Sequence, residues 1–374
     1  MSGRLLGGLA ALAALCGASA GCGGDSSTES EGEIAIAKPP GRKPVLGIAE
    51  PNSWRRVPPL ASADQTAGLV AQLGADSQRF VVDWAVAEPR PPDGEHAYDF
   101  SAFDPMYRAA LDRGIRPLLV ALSAPAWAAD PGTTPGSGSH NPPAEARLDD
   151  WASFLGAVAR RYPEALGIEI WNEPNLDAFW GAGANAVRPD PARYARLLAA
   201  AHDAIKAVDP RLLVVGGALA PGAGNPAGDL TAEDFASAVF AAGGAAQMDA
   251  LSLHPYPGTG GVREALARIE AVRGARDEAG ARTPLWLTEV GVTTTGPNAV
   301  GEDRQARELV AICRAVGRRP DIDALYVHTL VERPGPTTSP EPGFGLMRSV
   351  PGGELRPKPG YGAIREAFSR PGGC

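Results

Sequence analysis

The sequence predicts a parallel α/β fold, read as an eight-unit (β/α)8 TIM barrel. Short apolar runs alternate with stretches of helical periodicity eight times over about 330 residues, the pattern of strands joined by crossover helices. Two of the runs carry a carboxylate at or near their C-terminal end, Glu173 and Glu289, and the C-terminal ends of the strands are where a barrel keeps its chemistry. No Gly-x-Gly-x-x-Gly fingerprint follows an early strand, as it usually does in dinucleotide-binding doubly wound sheets. Doubly wound sheets share the alternation itself, so the count of units alone does not decide between the two.

The expected strands cover residues 45–49, 78–83, 116–122, 166–171, 212–215, 248–253, 285–290 and 324–329. After the first, Asp64 is a plausible N-cap, Val70 and Leu73 repeat at helical spacing, and Gly74 stops the helix. A helix over 103–113 ends at Gly114, and the third strand leads into a Pro/Gly/Ser-rich loop over 123–143. Residues 151–162 are helical. Asp190-Pro191 supplies an N-cap and a first-turn proline, after which Tyr194, Leu197, Leu198, Ala201, Ile205 and Val208 mark one buried face. Further helices are expected at 231–242, 263–279, 303–316 and 361–368.

A chain of 374 residues, 44% hydrophobic, suffices for one large barrel or two modest domains. Net charge −8 without a long basic run argues against nucleic acid as a partner, because phosphate binding needs a clustered positive face. Residues 1–21 read as a targeting segment: Arg4, an apolar run, then Ala18-Ser19-Ala20-Gly21 before Cys22. The run is short for a spanning helix, which needs roughly 20 predominantly apolar residues. Residues 22–43 are polar and glycine-rich, a flexible tether, and the folded domain is expected over 44–374. Of the remaining cysteines, Cys313 and Cys374 are open to a disulfide pinning the C-terminal end or to two separate thiols.

The largely apolar run Ile168-Glu169-Ile170-Trp171 ends in Asn172, Glu173 and Pro174, which cannot continue a ladder; Glu289 stands near the end of 285–290, before Gly291. Two carboxylates at two strand ends of one barrel suggest glycoside hydrolysis, in which one carboxyl stays protonated and the other ionised. Trp171-Asn172-Glu173-Pro174, extended through Asn175-Leu176 to Phe179-Trp180, resembles the acid/base motif of clan A glycoside hydrolases. It is most similar to glycoside hydrolase family 39 and the bacterial exopolysaccharide hydrolases near it. Further matches keep the clan's order along about 320 residues.

This resemblance implies a retaining glycosidase with Glu173 as acid/base and Glu289 as nucleophile, on strands four and seven. Asn172 would hydrogen-bond the sugar 2-hydroxyl. His254-Pro255-Tyr256 is similar to the clan's His-x-Tyr element, with His254 lining the sugar subsite and the Tyr256 hydroxyl on the nucleophile. Arg79 matches a basic residue beside the nucleophile, or it pairs with Glu169, which shares strand parity with Glu173; both readings stand. Trp127 and Trp180, in mouth loops, are the favoured sugar-stacking aromatics over Trp84 and Phe179, and Glu88 is a candidate substrate contact. Relatives carry a tryptophan platform at the end of strand eight where this chain has Tyr326-Val327-His328-Thr329, so His328 would take part of that role. Phe344-Gly345-Leu346 and Lys358-Pro359-Gly360-Tyr361 recur in the resembling group as architecture. The small-residue site before Cys22 resembles a bacterial lipoprotein signal, with Ser19 departing from the usual leucine; plain secretion with cleavage near Ala20 is the alternative.

No His-Glu-x-x-His helix, Walker loop or Gly-x-Ser-x-Gly elbow is present, and no metal-ligand spacing. His96, His140 and His202 have no sequence neighbourhood that suggests catalysis. The expectation is an exported monomer acting on a poly- or oligosaccharide, needing neither metal nor cofactor and touching a membrane only through lipid on Cys22. Alternatives are a surface carbohydrate-binding lipoprotein on an inactive barrel and a transglycosidase.

Overall fold

Apolar strands whose two faces are both covered must satisfy their backbone by pairing with one another. The computed structural model describes residues 43–51, 59–133, 140–181, 188–222, 228–350, 353–371 and 374. The targeting segment, Cys22 and residues 22–42 of the tether lie outside the described residues. Eight strands close a parallel barrel in chain order: β1 (Val45–Ala49), β2 (Ser77–Asp83), β3 (Arg116–Leu122), β4 (Gly167–Ile170), β5 (Leu213–Leu219), β6 (Ala250–Leu253), β7 (Leu285–Val290) and β8 (Ile322–His328). Closure is made by β8 on β1, with Val45 opposite Ala324 and Ala49 opposite His328. The eight-unit barrel expected from the alternation is the observed architecture.

Alternate residues of the strands fill the barrel interior, where Ala49, Leu118, Val215, Ala250, Trp286, Ala324 and Tyr326 pack together. Gly47 is required there. A Cβ on it would lie 2.3 Å from the Tyr326 ring, so the missing side chain makes room for the tyrosine, whose hydroxyl donates to Ser77 Oγ at 2.9 Å.

The helices are α1 (Ala63–Gln72), α2 (Trp84–Ala87), α3 (Asp104–Leu111), α4 (Leu148–Arg161), α5 (Pro191–Val208), α6 (Ala232–Ala241), α7 (Gly261–Glu278), α8 (Glu302–Gly317) and α9 (Pro359–Phe368). Asp190 caps α5, accepting from Arg193 N at 3.0 Å. On α1 the expected cap is corrected: Ser62 Oγ accepts from Gln65 N, and Asp64 sits in the first turn, where its charge favours the helix dipole. Gly74 and Gly114 end their helices at φ +75° and +72°, conformations that glycine enters without a Cβ penalty.

Beyond the barrel, β9 (Met347–Ser349) and β10 (Leu355–Pro357) form an antiparallel pair. Between β10 and α9 the buried Lys358 Nζ donates to Glu332 Oε1 at 2.9 Å, the Gly343 carbonyl at 3.1 Å and Thr294 Oγ1 at 3.2 Å. One cation thereby ties together the loops after β7 and β8, so the Lys358 segment does act architecturally. Cys313 on α8 is disulfide-bonded to Cys374, with a Cα separation of 5.3 Å, inside the range such bonds adopt. Among the described residues no helix is long and apolar enough to cross a membrane.

Candidate active site

The turn that leaves β4 is built by unusual backbone. Trp171 and Glu173 both have positive φ, +75° and +49°, a region that L side chains rarely occupy and that clusters at functional sites. Surrounding packing holds it there. Trp171 is wholly buried, its ring against Trp151 and Trp180 and its Nε1 donating to the Phe179 carbonyl at 2.8 Å. Asn175 locks the turn to the loop after β5, donating to Ala220 O at 2.8 Å and Leu230 O at 2.9 Å and accepting from Ala220 N at 3.1 Å. On β7 the register against β8 slips between Leu287 and Val290, an irregularity of the kind that re-aims a side chain. It leaves Glu289 facing the barrel mouth.

Both glutamates line one cavity of about 610 Å³, with Arg79, Asn172, Tyr256 and His328 beside them. A carboxylate oxygen of each glutamate and a ring nitrogen of His254 lie within 4.8 Å of one another. Their surroundings differ sharply. Glu289 accepts from Arg79 Nη1 at 2.5 Å and from the Tyr256 hydroxyl, and His328 Nδ1 lies 3.3 Å away without hydrogen-bond geometry. Glu173 has His254 Nδ1 at 2.8 Å, and among the described residues neither arginine nor lysine pairs with it.

Burial by itself would raise the Glu289 carboxyl, but His328, His254, Arg79 and the Tyr256 hydrogen bond outweigh it and hold the group well below the usual carboxylate range. Burial pushes His328 down to about 4, so at neutral pH that ring is uncharged and Arg79 with Tyr256 carries much of the effect. Tyr256 is raised well above its ordinary value by burial and by Glu289; it stays protonated and donates. Burial works against the Arg79 charge, and Glu169 with Glu289 more than restores it.

Arg79 joins the two readings that the sequence left open. Its Nε donates to Glu169 Oε2 at 2.6 Å, Nη1 to Glu289 Oε1 at 2.5 Å and Nη2 to Asn172 Oδ1 at 2.8 Å. With Oδ1 engaged by Arg79, the Asn172 amide presents its Nδ2 donors toward the cavity.

Four expected substrate contacts are corrected. His254 does not line the cavity; it is wholly buried, against the two carboxylates. Trp180 is wholly buried against Trp171 and Tyr194, with the Arg193 guanidinium over its ring. Trp127 packs edge-on against Trp84 and donates from Nε1 to the Glu88 carbonyl at 3.1 Å, outside the cavity lining. Glu88 is 3% exposed and is held by Trp84 Nε1 and His96 Nδ1. The aromatic surface offered to the cavity comes from Phe179 with His140 stacked on it, centroids 5.0 Å apart and planes at 13°, and from Tyr256, His328 and Phe344. Sequence reasoning set His140 aside, since nothing near it in the chain signals a site. Arg268, Asn298, Arg333 and Glu341 complete the rim and were also missed.

Glu173, His254 and Glu289 are the donor types a metal would use, yet the set fits one poorly. The Glu289 oxygens are already taken by Arg79 and Tyr256, and the Arg79 charge would repel a dication.

The chain matches known proteins over this same region. The family model for Glycosyl hydrolases family 39 matches residues 80–298, a span that holds both glutamates, Asn172, His254 and Tyr256 and begins one residue after Arg79. Among solved structures, the chain is similar to a family 39 glycoside hydrolase from the gut symbiont Bacteroides cellulosilyticus, at 22% identity and TM-score 0.64, over 87% of this chain and 63% of that one. A monomeric beta-xylosidase from Caulobacter crescentus is similar at 26% identity and TM-score 0.64, over 86% of this chain and 68% of that one. A family 39 enzyme from Xanthomonas axonopodis pv. citri is similar at 22% identity and TM-score 0.62, over 86% and 65%. The chain thus spans less than two thirds of the length of the first and third of these. With a matched span covering more than half of the sequence, around a barrel mouth that holds both carboxylates, the chain belongs to glycosyl hydrolases family 39.

Proposed function

We propose that the protein is a retaining glycoside hydrolase that cleaves O-glycosidic bonds of a poly- or oligosaccharide by double displacement. The observation that carries this reading is the close approach of Glu173 and Glu289, one carboxylate oxygen of each lying within 4.8 Å of the other, together with their unlike surroundings. Retaining enzymes hold their carboxyls about 5–5.5 Å apart, whereas inverting ones leave about 6.5–9.5 Å for a water. Glu289, bound by Arg79 and Tyr256, is the nucleophile; it attacks the anomeric carbon while Glu173 gives its proton to the departing oxygen. In the second half, Glu173 takes a proton from water, the water attacks the same carbon, and the glycosyl–Glu289 ester breaks to restore the carboxylate. Asn172 Nδ2 donates to the sugar 2-hydroxyl, a bond that strengthens as the oxocarbenium-like transition state forms. His254, bonded to Glu173, orients the acid rather than touching sugar.

The protein acts as a monomer on carbohydrate, and the N-terminal segment exports it, either holding it at the extracellular face of the bacterial cell membrane through lipid on Cys22 or releasing it as a secreted protein. A glycan-binding barrel without catalysis would have no need of a carboxylate buried against both Arg79 and Tyr256. The test is a glycan and aryl-glycoside panel that includes aryl β-xylosides, since the Caulobacter relative is a beta-xylosidase, with initial products read by proton NMR. Wild type is expected to release sugar of unchanged anomeric configuration. Glu289→Gln should be silent, and Glu173→Gln should keep activity chiefly on substrates with good leaving groups. Inverted product would overturn the proposal.

A further inference from the structure

Glu169, four residues before Glu173, has no part in the chemistry just described. It is wholly buried on β4, and its Oε2 meets Arg79 Nε at 2.6 Å while Oε1 is buried without a hydrogen-bond partner. As a stabilising device this is a poor choice: burying a carboxylate is costly, and well-packed apolar residues commonly replace buried ion pairs without loss. An unmet oxygen makes it costlier. What Glu169 does achieve is geometric and electrostatic. It takes the inner edge of the Arg79 guanidinium, leaving Nη1 for Glu289 and Nη2 for Asn172, so one cation is divided between two buried carboxylates.

We infer that Glu169 is a positioning residue that shares Arg79 with Glu289. It fixes the plane of the guanidinium so that Glu289 and Asn172 are held together, and its negative charge keeps Arg79 from neutralising Glu289 fully, which preserves the electron density that the nucleophile needs. The inference rests on Glu289 being the nucleophile, so its test carries one readout that needs no substrate.

Glu169→Gln, Glu289→Gln and the double variant are made in the full chain, and urea midpoints are compared with kinetics across pH. The double variant should lose more midpoint than the two single changes added together, because Arg79 is then a buried cation with no countercharge. Glu169→Gln alone should lower kcat/KM at least about tenfold with KM near that of wild type, and should move the acid limb of the profile to lower pH as Arg79 acts on Glu289 alone. Glu169→Asp, which restores the charge, should return the limb toward its original position. Additive midpoints, or a Glu169→Gln profile that coincides with wild type, would overturn the inference. If wild type hydrolyses nothing in the panel, the hydrolase reading fails on its own, and the midpoints still decide whether Arg79 is shared.

Discussion

Removing the Tyr256 hydroxyl tests the electrostatics of the nucleophile with little change in shape. In Tyr256→Phe, Glu289 Oε2 loses its hydrogen bond and keeps His328 Nδ1 at 3.3 Å and His254 Nδ1 at 3.9 Å. A hydrogen bond to a charged group is worth about 1.5–3 kcal/mol, and this one lies in a buried site. Its catalytic weight falls on the second half-reaction, where the carboxylate re-forms and the donor strengthens on it as the ester breaks. At 1.36 kcal/mol per tenfold, breakdown of the glycosyl intermediate should slow by about 10- to 150-fold. The assay is stopped-flow release of a good aryl leaving group, for which breakdown limits turnover. A burst should appear in the variant with a slow steady rate behind it, and the acid limb of kcat/KM should move up, since the Tyr256 hydrogen bond is one of the interactions that hold the carboxyl down. A kcat within twofold of wild type and an unmoved limb would refute the assignment of Tyr256 to the nucleophile.

Stability should fall with acid earlier than carboxylates alone would cause. Burial pushes both His140 and His328 from 6.5 down to about 4, so between those values the unfolded chain binds protons that the native protein refuses. Their contribution is complete above pH 6.5 and declines toward pH 4, by up to about 3 kcal/mol per ring; Glu289, held low, adds a loss below about 4.5. His140→Gln should flatten the midpoint-versus-pH curve across that window, and an unchanged curve would show the ring to be solvated. The Cys313–Cys374 bond closes a loop of 61 residues, which the chain-entropy account values at about 4 kcal/mol. Cys374→Ser should therefore lower Tm by several degrees with kcat unchanged, and a Tm matching wild type would contradict it.

Much of the barrel was readable because its signals are local. The runs at 45–49, 116–122 and 285–290 match β1, β3 and β7 residue for residue, since a buried strand declares itself by composition. Asp190-Pro191 announced its helix for the same reason. The two glutamates were legible as carboxylates placed where apolar runs stop. What was misread depends on chain brought from elsewhere. Trp180 reads as an exposed aromatic because it follows a strand end at the catalytic mouth, yet Trp171, Tyr194 and Arg193 enclose it. His254 reads as a strand-end residue, and its place against the carboxylates follows from barrel curvature that no single segment encodes. His140 and Phe179 lie 39 residues apart in number and meet only because the third and fourth loops converge. Arg79 was undecidable from sequence because it serves Glu169 and Glu289 together.

The central claim, that Glu289 forms a covalent bond to sugar, is tested most directly by trapping that intermediate. Wild-type protein is incubated with a 2-deoxy-2-fluoro aryl glycoside of the sugar the panel identifies, digested, and read by peptide mass spectrometry. One fluoroglycosyl group on the peptide carrying Glu289, absent in Glu289→Gln, is the predicted result. A label on any other residue, or turnover of the parent substrate with inverted product and no label at all, would contradict the account.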